Sequence, residues 1–99
     1  MNESLADAAY ALTKKHYEAA RQAASSELGA QFSNEEFDTV FHAAQRAKKL
    51  YFSAADFAER VWAGNFPYEK AINALKSQFS DFPDATVEHA FSDAYTEAR

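Results

Sequence analysis

Phe52-Ser53-Ala54-Ala55-Asp56-Phe57-Ala58-Glu59-Arg60-Val61-Trp62-Ala63-Gly64-Asn65-Phe66-Pro67 is the stretch on which the reading of this 99-residue chain turns. Ser53 with Asp56 three residues on is close to a capping box and predicts a helix start. Gly64 tolerates the left-handed geometry that ends a helix, and Pro67 suits the first position of the next, which runs from Tyr68 to Phe79. The pattern is helix, turn, helix, with Phe57, Val61 and Trp62 anchoring the first and Tyr68, Ala71, Ile72, Leu75 and Phe79 the second.

Working outward, Ser33-Asn34-Glu35-Glu36 sets a capping Ser before an acidic first turn and predicts another helix start. That helix carries Phe37, Val40, Phe41, Ala44, Ala47 and Leu50 or Tyr51 on its inner side, and Arg46, Lys48 and Lys49 suit the negative end of its dipole. The first helix is expected from Ser4 to about Glu27, with Gly29 as its stop. Its inner rows are Leu5, Ala9, Leu12, His16, Ala19 and Ala23, flanked by Ala6, Tyr10, Thr13, Tyr17, Ala20 and Ala24. These are mostly small side chains, which let a neighbouring helix approach closely. At the far end Pro83 opens a helix burying Val87, Ala90, Phe91, Ala94 and Ala98. The expected fold is all-α, a compact bundle of four to six short helices in one domain spanning residues 1–99. A weak internal repeat relates 4–50 to 53–99, with Ser4/Ser53, Tyr17/Tyr68, Phe32/Phe82, Phe41/Phe91 and Ala44/Ala94 matched at offsets of 49 to 51.

Composition agrees with this class. A chain 47% hydrophobic and 15% aromatic has ample apolar area to offset chain entropy, and two Gly with two Pro disfavour a turn-rich β fold. Without Cys there is no disulfide, thiolate metal site or thiol nucleophile, and a reducing, cytoplasmic setting is expected. Met1-Asn2-Glu3-Ser4 lacks the basic and apolar regions of a signal peptide, and no apolar run approaches the ~20 residues of a membrane helix. The net charge of −5 is unevenly spread: residues 1–43 carry −4, residues 44–76 carry +3 and residues 77–99 carry −4. Opposite charges on neighbouring helices keep such a protein soluble, and a basic middle or acidic ends also offer surfaces to a charged partner.

Catalytic and metal signatures are weak throughout. Asp38 and His42 stand one helical turn apart, but two ligands do not make a site, and His16 and His89 add no spacing of metal-ligand type. The acids Asp81, Asp84 and Glu88 lack the central Gly and late Glu of a calcium loop, and capping a helix start accounts for them. Gly29 and Gly64 are isolated, so no phosphate-cradling loop exists, and no Ser sits in a nucleophile elbow. The expectation is no enzyme, no cofactor and no metal.

Fifteen aromatic residues exceed what the helical stripes accommodate. Tyr51, Trp62, Phe66 and Tyr68 are therefore candidates for a protein–protein interface, with Tyr10, Phe52 and Tyr95 also expected at partial exposure. The expected role is a non-enzymatic adaptor, inhibitor or immunity-type partner of another protein whose identity the sequence does not give, or of a second copy of the chain. A second reading treats residues 53–79 as a DNA-binding helix-turn-helix, with Lys70, Asn73 and Lys76 facing the nucleic acid. The long connection from Trp62 to Tyr68 and the negative overall charge weigh against it. Phe82-Pro83 followed by a helix resembles the ubiquitin-binding CUE type over a handful of residues, too few to carry an expectation.

Overall fold

The computed structural model describes residues 3–16 and 28–98. Within them the protein is all-α: α1 is Glu3–His16, α2 is Phe37–Trp62, α3 is Tyr68–Gln78 and α4 is Asp84–Glu97. Residues 28–31 are also helical, and no strand occurs among the described residues. The chain divides into two compact units, residues 1–49 and residues 50–99, and the division falls inside α2.

In unit 1 the two expected rows of α1 are both buried, through Leu5, Ala6, Ala9, Tyr10, Leu12 and Thr13. Thr13 is accommodated because its hydroxyl donates to the Ala9 carbonyl one turn back, at 2.8 Å. Tyr17, Ala19, Ala20, Ala23, Ala24 and the end near Glu27 lie outside the described residues, as do the side chains of His16 and Phe37. Gly29 is no stop: it sits within the helical residues 28–31 beside buried Leu28, and the turn comes afterwards. Ser33 does not cap α2 either. The Phe32 amide donates to the Leu28 carbonyl and the Glu35 amide to the Phe32 carbonyl, both at 3.0 Å, so residues 32–35 are consumed by a turn and α2 starts at Phe37.

Two expectations about α2 are corrected. Ser53 starts nothing; α2 continues through it for 26 residues. Buried Val40, Ala43, Ala47, Leu50, Ala54, Phe57 and Ala58 recur at helical spacing across that point, with no Gly or Pro to interrupt them. An unbroken row of burial outweighs a local capping signal worth ~1 kcal/mol. The row is also rotated from the one expected. Ala43 rather than Ala44 is fully buried, while Phe41, roughly 100° round the helix from Val40, remains 42% exposed.

In unit 2 Gly64 ends α2 as expected, with φ of +79°. The Asn65 amide donates to the Arg60 carbonyl and the Gly64 amide to the Val61 carbonyl, each at 3.0 Å, which is the Schellman arrangement. Pro67 and Pro83 both stand at the residue before a helix rather than at its first position. α3 and α4 pack against each other, and the buried residues here include Ala71, Leu75, Phe79, Phe82, Thr86, Val87, Ala90 and Phe91. Ile72 and Ala94, expected inside, are half-buried, and Ala98 is exposed.

The turn before α4 repeats the turn before α2. The Phe79 amide donates to Leu75, the Phe82 amide to Phe79 and the Val87 amide to Pro83, each 47 residues on from Phe32 to Leu28, Glu35 to Phe32 and Val40 to Glu36. At that offset Leu28/Leu75, Gln31/Gln78, Phe32/Phe79, Ser33/Ser80, Thr39/Thr86, Val40/Val87, His42/His89, Ala43/Ala90 and Ala47/Ala94 are identical. The two turns thus share their backbone bonding at an offset of 47 residues.

The rotated stripe has a direct test. Leu50→Ala should cost about 2–5 kcal/mol in denaturant unfolding, whereas Phe41→Ala should cost about 1 kcal/mol or less. Equal losses would return Phe41 to the core.

Candidate aromatic interaction surface

The Schellman cap does more than stop a helix. It ends α2 and redirects the chain, and five residues link Trp62 at the end of α2 to Tyr68 at the start of α3. The last turn of α4 brings Tyr95 to the same place. The Trp62 and Tyr95 rings stack with centroids 4.6 Å apart and planes 19° apart. Tyr68 stands edge-on to both Tyr95 and Phe91, at 5.1 Å and 5.0 Å, with interplanar angles of 88° and 73°. Phe91 is fully buried and forms the floor, while Trp62 and Tyr68 are 43% and 39% exposed. The Trp62 indole N–H donates to the Tyr95 backbone carbonyl at 2.8 Å, which locks the indole over the ring it stacks on. Stacked and edge-on pairs of this kind contribute ~0.5–1.5 kcal/mol each beyond their area. The surface is therefore aromatic, partly wet and held in one geometry.

Of the aromatic residues the sequence singled out, Trp62 and Tyr68 meet here. Phe66 is half-buried on the Phe57 ring at 5.6 Å, and the Arg60 guanidinium lies 5.5 Å over Phe57 while pairing with Asp56 at 3.0 Å. Tyr51 is not part of the cluster. It packs edge-on to exposed Phe52 and stands 11 residues before Trp62, about 16 Å along α2. Tyr95 is the member whose pairing with Trp62 sequence reasoning missed. Its signal was its place late in an amphipathic helix, but nothing local links position 95 to position 62.

The residues proposed for DNA contact separate. Lys70 and Asn73 are exposed on the side of α3 away from buried Ala71 and Leu75. Lys76 turns toward α4, where its ammonium donates to the Glu88 carboxylate at 2.5 Å. That hydrogen bond, with the charges of Glu88, Asp84 and Glu69, raises the Lys76 pKa against an opposing desolvation. His89, whose Nε2 lies 3.3 Å from Asp93, is exposed, as are Asp38 and His42. Among the described residues no group of three or more His, Asp or Glu could hold a metal ion, and no helix is long and apolar enough to cross a membrane. Comparison with protein-family models, with curated proteins and with solved structures finds no match.

The Lys76–Glu88 pair sets a pH-dependent expectation. A lysine whose folded pKa is raised adds stability below its unfolded value, and that stability is lost as pH rises through the folded value. Glu88→Gln should bring the Lys76 pKa, read by NMR, back toward the ordinary 10.5. The stability advantage of the wild type over this variant should be present at neutral pH and close as the lysine deprotonates. An unchanged lysine titration would show that the carboxylate does not hold it.

Proposed function

We propose that this chain is a non-enzymatic helical interaction protein that docks another protein on the Trp62–Tyr68–Tyr95 surface of unit 2. The observation that carries the reading is the pair of rings, Trp62 and Tyr68, held rigidly yet each more than a third exposed. Rigid aromatic surface is what binding hot spots use, since little side-chain entropy is left to lose on association.

The repeat supplies a second support. In the register of the two matching turns, Phe91 corresponds to Ala44 and Tyr95 to Lys48. Unit 1 thus builds the corresponding helix with a methyl and an ammonium where unit 2 has two rings. The rings are then an addition to the shared helical plan rather than a requirement of it. A cytoplasmic setting suits the absence of Cys.

The DNA-binding alternative draws less support. Lys76, one of its two cations, is engaged by Glu88 and flanked by Asp84 and Glu69. The charges of these three carboxylates oppose a phosphate approaching it, and the chain as a whole is acidic at −5.

The test is retention of partners from an extract of cells that express the protein natively. Wild-type protein immobilised on a support should hold a partner that the Trp62→Ala/Tyr68→Ala double variant loses and Phe41→Ala keeps, with unchanged circular dichroism in all three. A partner set unaffected by the double variant would remove this surface from the function.

A further inference from the structure

We propose that Phe66 is the positioning residue of the aromatic surface: its ring ties the connection between α2 and α3 down to α2 and thereby sets where Tyr68 stands. This rests on the preceding reading of the surface, and it gives Phe66 a role exerted through Tyr68 in place of the contact role its sequence suggested. Three observations lead to it.

The first is burial along the connection. Of the five residues between Trp62 and Tyr68, Ala63, Gly64, Asn65 and Pro67 are exposed and Phe66 is half-buried. Backbone bonds hold the two ends of this segment. The Gly64 and Asn65 amides donate to α2 carbonyls at its start, and the Pro67 carbonyl accepts from the Ala71 amide at 3.0 Å where α3 begins. Phe66 lies between those ends and supplies the side-chain anchor.

The second is what the ring lands on. Phe57 belongs to the buried row of α2 at 8% exposure, and its centroid lies 5.6 Å from that of Phe66 with the planes tilted by 58°. The Arg60 guanidinium, 5.5 Å over the Phe57 ring and 3.0 Å from Asp56, joins the same corner. Phe57 precedes Trp62 by five residues, roughly 140° round the helix. The anchor and Trp62 therefore leave the end of α2 on different sides.

The third is the stiffness between anchor and ring. A single residue, Pro67, separates Phe66 from Tyr68. Pro67 stands at φ −67° and ψ 140°; its ring fixes φ and restricts Phe66 before it to extended conformations. A displacement of Phe66 is thus passed on to Tyr68 with little slack to absorb it. Tyr68 meets Phe91 and Tyr95 edge-on at 5.0 Å and 5.1 Å, and a shift at the start of α3 weakens both contacts together.

The test compares Phe66→Ala, Phe66→Tyr and Phe41→Ala in the full chain. Far-ultraviolet circular dichroism reports the fold, and NMR with near-ultraviolet dichroism reports the ring environments. In Phe66→Ala the Tyr68 ring protons should move toward the shifts of an exposed tyrosine as the ring currents of Phe91 and Tyr95 are lost, and the near-ultraviolet signal should fall with helix content kept. The indole N–H of Trp62, the single tryptophan, is held by the Tyr95 carbonyl and should move less. Phe66→Tyr keeps the ring and should restore the Tyr68 signals, while Phe41→Ala, which deletes an exposed ring of unit 1, should leave them unchanged. Retention of the native partner should weaken about tenfold or less in Phe66→Ala, because the surface then has to be ordered on binding.

Tyr68 signals at wild-type positions in Phe66→Ala would overturn the proposal, whether or not the Trp62→Ala/Tyr68→Ala variant loses its partner. Loss of helix in Phe66→Ala would make Phe66 a residue of the general fold and overturn it too, as would a Tyr68 that Phe66→Tyr leaves displaced. Displaced Tyr68 signals with undiminished partner retention would uphold the positioning role and count against the docking reading, so the two fail separately.

Discussion

The left-handed backbone at Gly64 is the constraint on which the organisation of unit 2 depends. A residue with a Cβ is strained at φ of +79°, so only Gly closes α2 there at low cost. The two Schellman hydrogen bonds then satisfy carbonyls at the end of α2 and redirect the chain. Pro67, extended and without an amide hydrogen, hands the chain to α3 at Tyr68. Because the connection is this short, the last residue of one helix and the first of the next both reach Tyr95 through ring contacts.

Packing of α3 on α4 is the second element. Its inner side is apolar, with Ala71, Leu75, Val87, Ala90 and Phe91 all at or near zero exposure. Small Ala71 and Ala90 allow the close approach that larger residues would prevent. At the rim of this packing Lys76 joins Glu88, a pair that sits partly in water and adds orientation more than stability. The turn that connects the two helices has the same backbone bonding as the turn leading into α2, and both end in Thr-Val followed by His-Ala one residue later. One local solution, a Phe amide closing on a buried Leu four residues back, is used twice.

The surface follows from these constraints. Phe91, buried at the floor, fixes Tyr68 and supports Tyr95, and Tyr95 in turn holds Trp62 by stacking and by its carbonyl. Each ring is therefore immobilised by another before any partner arrives.

Helical class, the double row of small buried residues on α1 and the termination at Gly64 were all legible in the residues themselves. Each is set by local chemistry: a 3.6-residue period, side-chain volume, or the conformational freedom of glycine. Three matters were decided only by tertiary structure. α2 runs through Ser53 because burial on both sides of it outweighs a cap; Phe41 lies outward while Ala43 lies inward; and Tyr95 meets Trp62 across 33 residues. The physical reason is common to all three. A broad apolar helix face fits several rotations and lengths equally well, and which one is realised depends on the neighbour that packs against it, a contact no local pattern encodes.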